Sequence, residues 1–251
     1  MCCFSGNVEA VSGTSIFARR EGDWQFLVYS MTLETLVDVA MILPLPVARD
    51  GDLPLLKFVS LEDYPEFFVD LRRCFPTPRA RGSRGVAIAA GGGQRLAVER
   101  VGAFDASFVP NVADFDRLDT RFRLDPAVWN SLPGYVDYGF AVFQLRAGKM
   151  EVHPMALRFR TRSPGSLFFP TVHVHDGTVS REAPFDHALY GQHVRESPER
   201  WTQGSVIPIG VMDFGNQVVG DRTRGIVQPR YPVFRRLMSG HLSNADVWAS
   251  S

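Results

Sequence analysis

Two apolar runs, Ser15–Arg20 and Trp24–Met31, flank the short connection Glu21-Gly22-Asp23. Side chains recurring every second residue share one face of an extended strand, and a connection holding a glycine turns the chain back antiparallel to itself. The pair therefore predicts a β-hairpin, because a period of two cannot present one apolar stripe on a helix. A further apolar run, Val37–Leu45, is expected to pair with the hairpin and to hold the amino-terminal residues near a sheet.

Helical signals are shorter. Asp63 stands as an N-cap ahead of Pro65 and Glu66, and Phe67, Phe68, Leu71 and Phe75 follow at helical spacing until Pro76 and Pro78. The next residues, about 76–94, carry Arg79, Arg81, Arg84 and Gly91-Gly92-Gly93 and predict a mobile Arg/Gly-rich surface loop. Strands are expected at Leu96–Val101, Phe104–Val109, Tyr138–Leu145 and Met155–Arg162. Two short helices fall between them, one on Phe115, Leu118 and Phe122, the other opened by Asp125-Pro126. Arg158, Arg160 and Arg162 alternate with apolar residues and predict a solvent face. The last seventy or so residues look irregular, with Val206–Met212 as their one convincing strand. The expectation is a single α+β domain over residues 1–251, built on a mainly antiparallel β-sheet with a few short helices.

Lys plus Arg and Asp plus Glu both number 27, so no overall field favours nucleic acid or an anionic membrane. The longest apolar stretch, Val39–Val47, is too short to span a bilayer and holds two prolines. Cys2, Cys3 and Cys74 form no disulfide framework, and residues 1–9 lack the basic and apolar regions of a secretory signal. These features predict a cytoplasmic protein without nucleic-acid or membrane partners, acting on a small molecule or peptide.

Two groups of residues carry candidate chemistry. If Met1 is trimmed, Cys2 becomes the first residue, and a terminal amine near pKa ~8 beside a thiol near ~8.5 supplies both base and nucleophile. The reaction would be amide hydrolysis without a cofactor, with Asn7, Asn111 or Asn130 as oxyanion donors. The second group is histidine. His173 and His175 lie two apart on an expected strand and so share a face, and His187 or Asp176 would complete a zinc or other divalent-metal site with one position open to water. Asp186 would orient a ligand from behind, and His153 and His193 lie outside the group.

Cys2-Cys3-Phe4-Ser5, Ala40–Pro46, Val101–Asp105, Gly139–Leu145 and Leu157-Arg158-Phe159 occur here in one order. In that order they resemble an uncharacterised bacterial family whose mature chains begin with a Cys-Gly-Gly-Phe-Phe-like motif and carry a WVLPVP-like strand. The resemblance covers roughly residues 2–175 and implies a shared fold without an activity. The opening cysteine is also similar to that of the choloylglycine hydrolases, amidases with an N-terminal nucleophile. That likeness implies Arg19 and Asp23 as the groups steadying the Cys2 thiolate. Three readings stay open: a cysteine amide hydrolase, a metal-binding protein or metallohydrolase, and a non-catalytic β-rich binding domain.

Overall fold

The computed structural model describes residues 3–49, 55–75, 99–101, 104–175, 177–204, 218 and 220–251. The chain is mostly β with a few short helices. In order it forms β1 (Cys3–Phe4), β2 (Ala10–Glu21), β3 (Trp24–Thr35), β4 (Val39–Leu45), β5 (Leu56–Ser60) and α1 (Phe67–Arg73). After these come β6 (Glu99–Val101), β7 (Phe104–Val109), α2 (Pro126–Asn130), β8 (Gly139–Leu145), β9 (Gly148–Arg160), β10 (Ser166–Phe169) and β11 (Glu182–Gly191). The chain closes with β12 (Thr202–Gln203), β13 (Phe234–Ser243) and β14 (Val247–Ser250). No helix among the described residues is long and apolar enough to cross a membrane.

The expected hairpin is β2–β3, paired from Ala10↔Glu34 to Glu21↔Trp24, and it sits inside a seven-stranded sheet of order β12-β13-β11-β2-β3-β9-β5. A second, five-stranded sheet runs β1-β4-β8-β7-β6, and β10 and β14 form a ribbon of their own. The pairings between named strands are antiparallel except β11–β2, where Ala188 meets Ser15 and Gly191 meets Ala18 in parallel. The run Val37–Leu45 joins not the hairpin but the five-stranded sheet, between β1 and β8.

The two large sheets pack face to face over one core. Ile16, Leu27, Leu157, Phe185 and Leu189 come from one side, and Phe4, Met41, Leu43 and Phe143 from the other. The outer face of the five-stranded sheet is covered by residues 112–138, through Phe115, Phe122, Val128 and Tyr135. The outer face of the seven-stranded sheet is covered by α1 and residues 226–233, which bury Phe17, Phe26, Val28 and Tyr190. Strand β4 is thus apolar on both faces, and all its residues are buried, which explains a run of consecutive hydrophobics where one-sided strands alternate. Among the described residues β1 reaches only to Ile42, so Pro44, which has no amide hydrogen to give a ladder, lies opposite one described strand, β8.

Several expectations change. Helix α1 begins at Phe67 with no side-chain cap, and Asp63 instead pairs with Arg224 at 3.2 Å. The helix expected on Phe115–Phe122 is two 3₁₀ turns, Val112–Arg117 and Thr120–Phe122. Strand β9 starts at Gly148, and its arginines are half-buried rather than solvated: Arg158 stacks on Trp24 at 5.0 Å and Arg160 pairs with Asp23 at 3.7 Å. The irregular carboxyl-terminal part contains β11, β13 and β14. The loop at about 76–94 and the strand at Val206–Met212 lie outside the described residues.

Candidate functional site

The start of the chain and the histidine-bearing segment meet. Cys3, only 1% exposed, pairs with Ile42 on one side and forms a parallel bridge to Val174 on the other. The Phe4 amide donates to the Val174 carbonyl at 3.0 Å, and the Phe4 ring meets His175 edge-on at 5.7 Å.

Residues 170–175 belong to no regular strand because side chains make their pairing. Asn244 Oδ1 accepts from the His173 amide at 2.7 Å, and its Nδ2 donates to the carbonyls of His173 (3.0 Å) and Ser180 (2.9 Å). Asp246 Oδ1 accepts from the amides of Thr171 (2.8 Å) and Val172 (3.2 Å), while its Oδ2 accepts from the Tyr135 hydroxyl at 2.6 Å. Removal from water pushes the Asp246 carboxyl upward, and the Tyr135 and backbone bonds pull against that shift. The same removal, reinforced by the adjacent carboxylate, pushes the Tyr135 phenol far up, so it stays a donor.

His173 and His175 share a face, as their spacing predicts, and His187 projects from β11 to the same place. The rings form a column: His173 lies 5.3 Å from His175 and 5.1 Å from His187, each pair 17° from parallel. Phe185 packs against His173 at 4.3 Å and His187 at 5.0 Å. Burial pushes the His173 imidazole down to about 2 and drives His187 down further, with neighbouring positive groups adding to the shift, so both are neutral. His187 Nδ1 accepts from the Asp186 amide at 3.3 Å, which puts its proton on Nε2. Near-parallel rings aim their nitrogens alongside one another rather than at a common point. Among the described residues no group of three or more His, Cys, Asp or Glu is placed to hold a metal ion. Asp176 lies outside the described residues.

A cleft of about 440 Å³ opens beside this column, lined by Asn7, Val8 and Glu9 after β1, by His173, His175, Thr178, Ser180 and Glu182–Pro184, and by Asn244. That volume lies within the range of roughly 300–1,000 Å³ typical of ligand sites.

The other expected site residues are not brought here. Arg19 and Asp23 lie toward the outer face of the seven-stranded sheet and at the β2–β3 turn. Arg19 is 2% exposed, stacks on Phe26 at 4.7 Å and donates to the carbonyls of Ile226 and Gly225, both at 2.7 Å. Asp23 is exposed and faces Arg160. Asn111 caps a 3₁₀ turn and Asn130 ends α2, whereas Asn7 lines the cleft. His153 packs on Phe104 and His193 on Tyr231, both away from the column. Cys2 lies outside the described residues. Sequence reasoning missed Asn244, Asp246, Tyr135, Glu9 and Glu182. Asn244-Ala245-Asp246 reads as an ordinary turn, and no local pattern marks it as the clamp of a segment some seventy residues earlier.

No family model matches this chain, and no curated protein sequence does. Among solved structures its fold is similar to that of baculovirus P35. The crystal structure of P35 aligns with a TM-score of 0.54 at 11% identity, over 100% of this chain and 99% of that one. A mutated P35 after caspase cleavage aligns at 0.47 and 13% identity, over 96% of this chain and 98% of that one. P35 in its complex with caspase-8 aligns at 0.45 and 12% identity, over 96% of each.

Proposed function

We propose that this chain is a non-catalytic β-rich binding domain whose partner is a protein, specifically a cysteine peptidase. The observation that carries the reading is the end-to-end alignment with P35, which leaves almost none of either chain unmatched. P35 is itself seen in a complex with caspase-8 and in a caspase-cleaved form. The step from shared fold to shared kind of partner is an analogy. The sequence suggests which bond such a partner would read: residues 76–98 contain Arg79, Arg81, Arg84 and Arg95 and no acidic residue. A panel of cysteine peptidases selective for arginine or for aspartate tests this. Inhibition and co-elution with an arginine-selective member are expected; turnover unchanged across the panel, with no co-elution, defeats the reading.

A second reading, the Cys2 amide hydrolase, is favoured by one contact: Cys3 is fixed against Val174, between His173 and His175 in sequence. Under it, intact mass shows Met1 removed, and Cys2→Ser abolishes hydrolysis of at least one member of an amide and ester panel. Retained Met1, or a serine variant of equal activity, removes it.

A further inference from the structure

Strand β13 lies toward one edge of the seven-stranded sheet and is long and regular. An unbroken run of pairs, Glu182↔Ser243 to Gly191↔Phe234, binds it to β11 without a register shift. Its other side is taken by β12 at Phe234 and Arg235 alone, and past Arg235 no strand among the described residues pairs with it. The Val233 carbonyl accepts from the Gly204 amide on that side at 2.8 Å, and backbone groups alternate in direction along a strand, so those of Leu237, Ser239 and His241 face the open edge. Natural edges are blunted by charged residues or proline, and residues 237–243 contain no Lys, Arg, Asp, Glu or Pro. Gly240, midway along this stretch, has a φ of 85° and open space where a Cβ would stand. A glycine inside a strand marks a bulge, a bend or the close approach of another backbone, and the unbroken register with β11 leaves out the bulge.

From this geometry we infer that β13 pairs antiparallel with β13 of a second copy of this chain, about a twofold axis through Gly240, and joins two seven-stranded sheets into one. β12 fixes the register. Thr202 occupies the edge at Arg235, so the longest register that clears it places Ser243 of the second copy opposite Leu237. Ser239 then lies opposite His241 of the second copy and exchanges backbone hydrogen bonds with it. Gly240 faces itself in a non-hydrogen-bonded pair, where Cα atoms come within ~4.5 Å of each other. Leu237, 63% exposed, gains a neighbouring strand to lie against. Charge does not oppose the contact, because the paired stretches hold no lysine, arginine or carboxylate and the chain's formal net charge is zero. The open stretch is centred on its glycine and so matches itself, which favours a second copy over an extended segment of another protein. A closed twofold contact is also the commonest symmetry of soluble oligomers. Pairing of this kind requires no peptidase and goes beyond the proposed function.

The test is sedimentation equilibrium of the full chain from about 1 µM to about 500 µM, since an edge contact is small and its association weak. Twice the chain mass is expected at the upper end. Ser239→Lys with His241→Lys sets like charges opposite each other on both sides of the axis and should weaken association by about fivefold or more. Ser239→Glu with His241→Lys sets opposite charges there and should restore it to within about threefold of the unsubstituted chain. Ser239 and His241 are exposed, so both doubly substituted chains should keep their fold, and circular dichroism checks this. A chain that stays monomeric at every concentration, an association unchanged by the paired lysines, or equal weakening by both double substitutions would overturn the inference.

Discussion

A neutral imidazole in a dry column records its surroundings in the pH dependence of stability. In the unfolded chain a histidine titrates near ~6.5. In the folded protein burial holds His173 down to about 2 and lowers His187 as well, and His153 and His193 are shifted the same way, burial leading in each. Below the unfolded value the unfolded state therefore binds more protons than the native one, and acid favours unfolding. The contribution is whole above pH ~6.5 and is lost progressively beneath it, by about 1–3 kcal/mol for each of His173 and His187 by pH ~5. Urea midpoints at pH 7.5 and 5 should show the fall, and His187→Phe, which keeps a ring and removes a titrating group, should reduce it. An equal fall in that variant would show that His187 does not carry its share. Arg19 makes a second case at this scale. It reads as an active-site guanidinium only because the sequence cannot show that its acceptors lie more than two hundred residues away. Arg19→Ala strips the buried Ile226 carbonyl and the part-buried Gly225 contact of a charged donor and should cost about 1–3 kcal/mol in urea denaturation; a loss under ~0.5 kcal/mol would mean that water replaces it without penalty.

Strands were legible where burial is one-sided or total, and illegible where the chain supplies neither pattern. The alternation in β3 and the unbroken run in β4 both reflect sheets packed on a core. In β11 the inward set is Ala183, Phe185, His187 and Leu189, but Pro184 and Asp186 between them are poor strand formers, and His187 breaks the apolar sequence. In β13 only Met238 is buried, and among the described residues β12 covers just Phe234 and Arg235 along its other edge. Such a strand carries arginines and serines and has no period to read. The histidine face was legible from the spacing of His173 and His175, since a fixed twofold alternation decides it. The third ring was suggested by proximity in sequence, and its stacked geometry was not readable. Gly139, at the start of β8, tests the packing between elements. A Cβ there would stand 2.8 Å from the Phe108 ring and 3.1 Å from Val47. Gly139→Ala should therefore destabilise by about 1–3 kcal/mol through overpacking, and an unchanged thermal midpoint would show that the Phe108 ring gives way freely.

On the scale of the whole molecule, the two ends of the chain close the same structure. β1 enters beside Val174, and the segment holding Val174 is secured by Asn244 and Asp246, which lie between the final two strands. The parallel register of β11 on β2 likewise joins residues about 170 apart. Contacts of such separation cost loop entropy before they return any stability, so folding should be slow, on the scale of ms to s. The carboxyl-terminal residues are then more than a covering ribbon. A chain ended at Ser243 loses the Asn244 bonds to His173 and Ser180, leaves the Tyr135 hydroxyl without Asp246, and uncovers the β10 edge that β14 pairs with. Each buried group left unpaired costs about 1–3 kcal/mol, and several together approach the total stability of ordinary domains, about 5–15 kcal/mol. That shortened chain should show no cooperative thermal transition, and the resonances of His173 and His175 should move to the positions of exposed histidine. Should it instead melt sharply within a few degrees of the full chain, the side-chain ladder at 244–246 would be dispensable. The cleft beside the histidines would then owe its shape to the sheets alone.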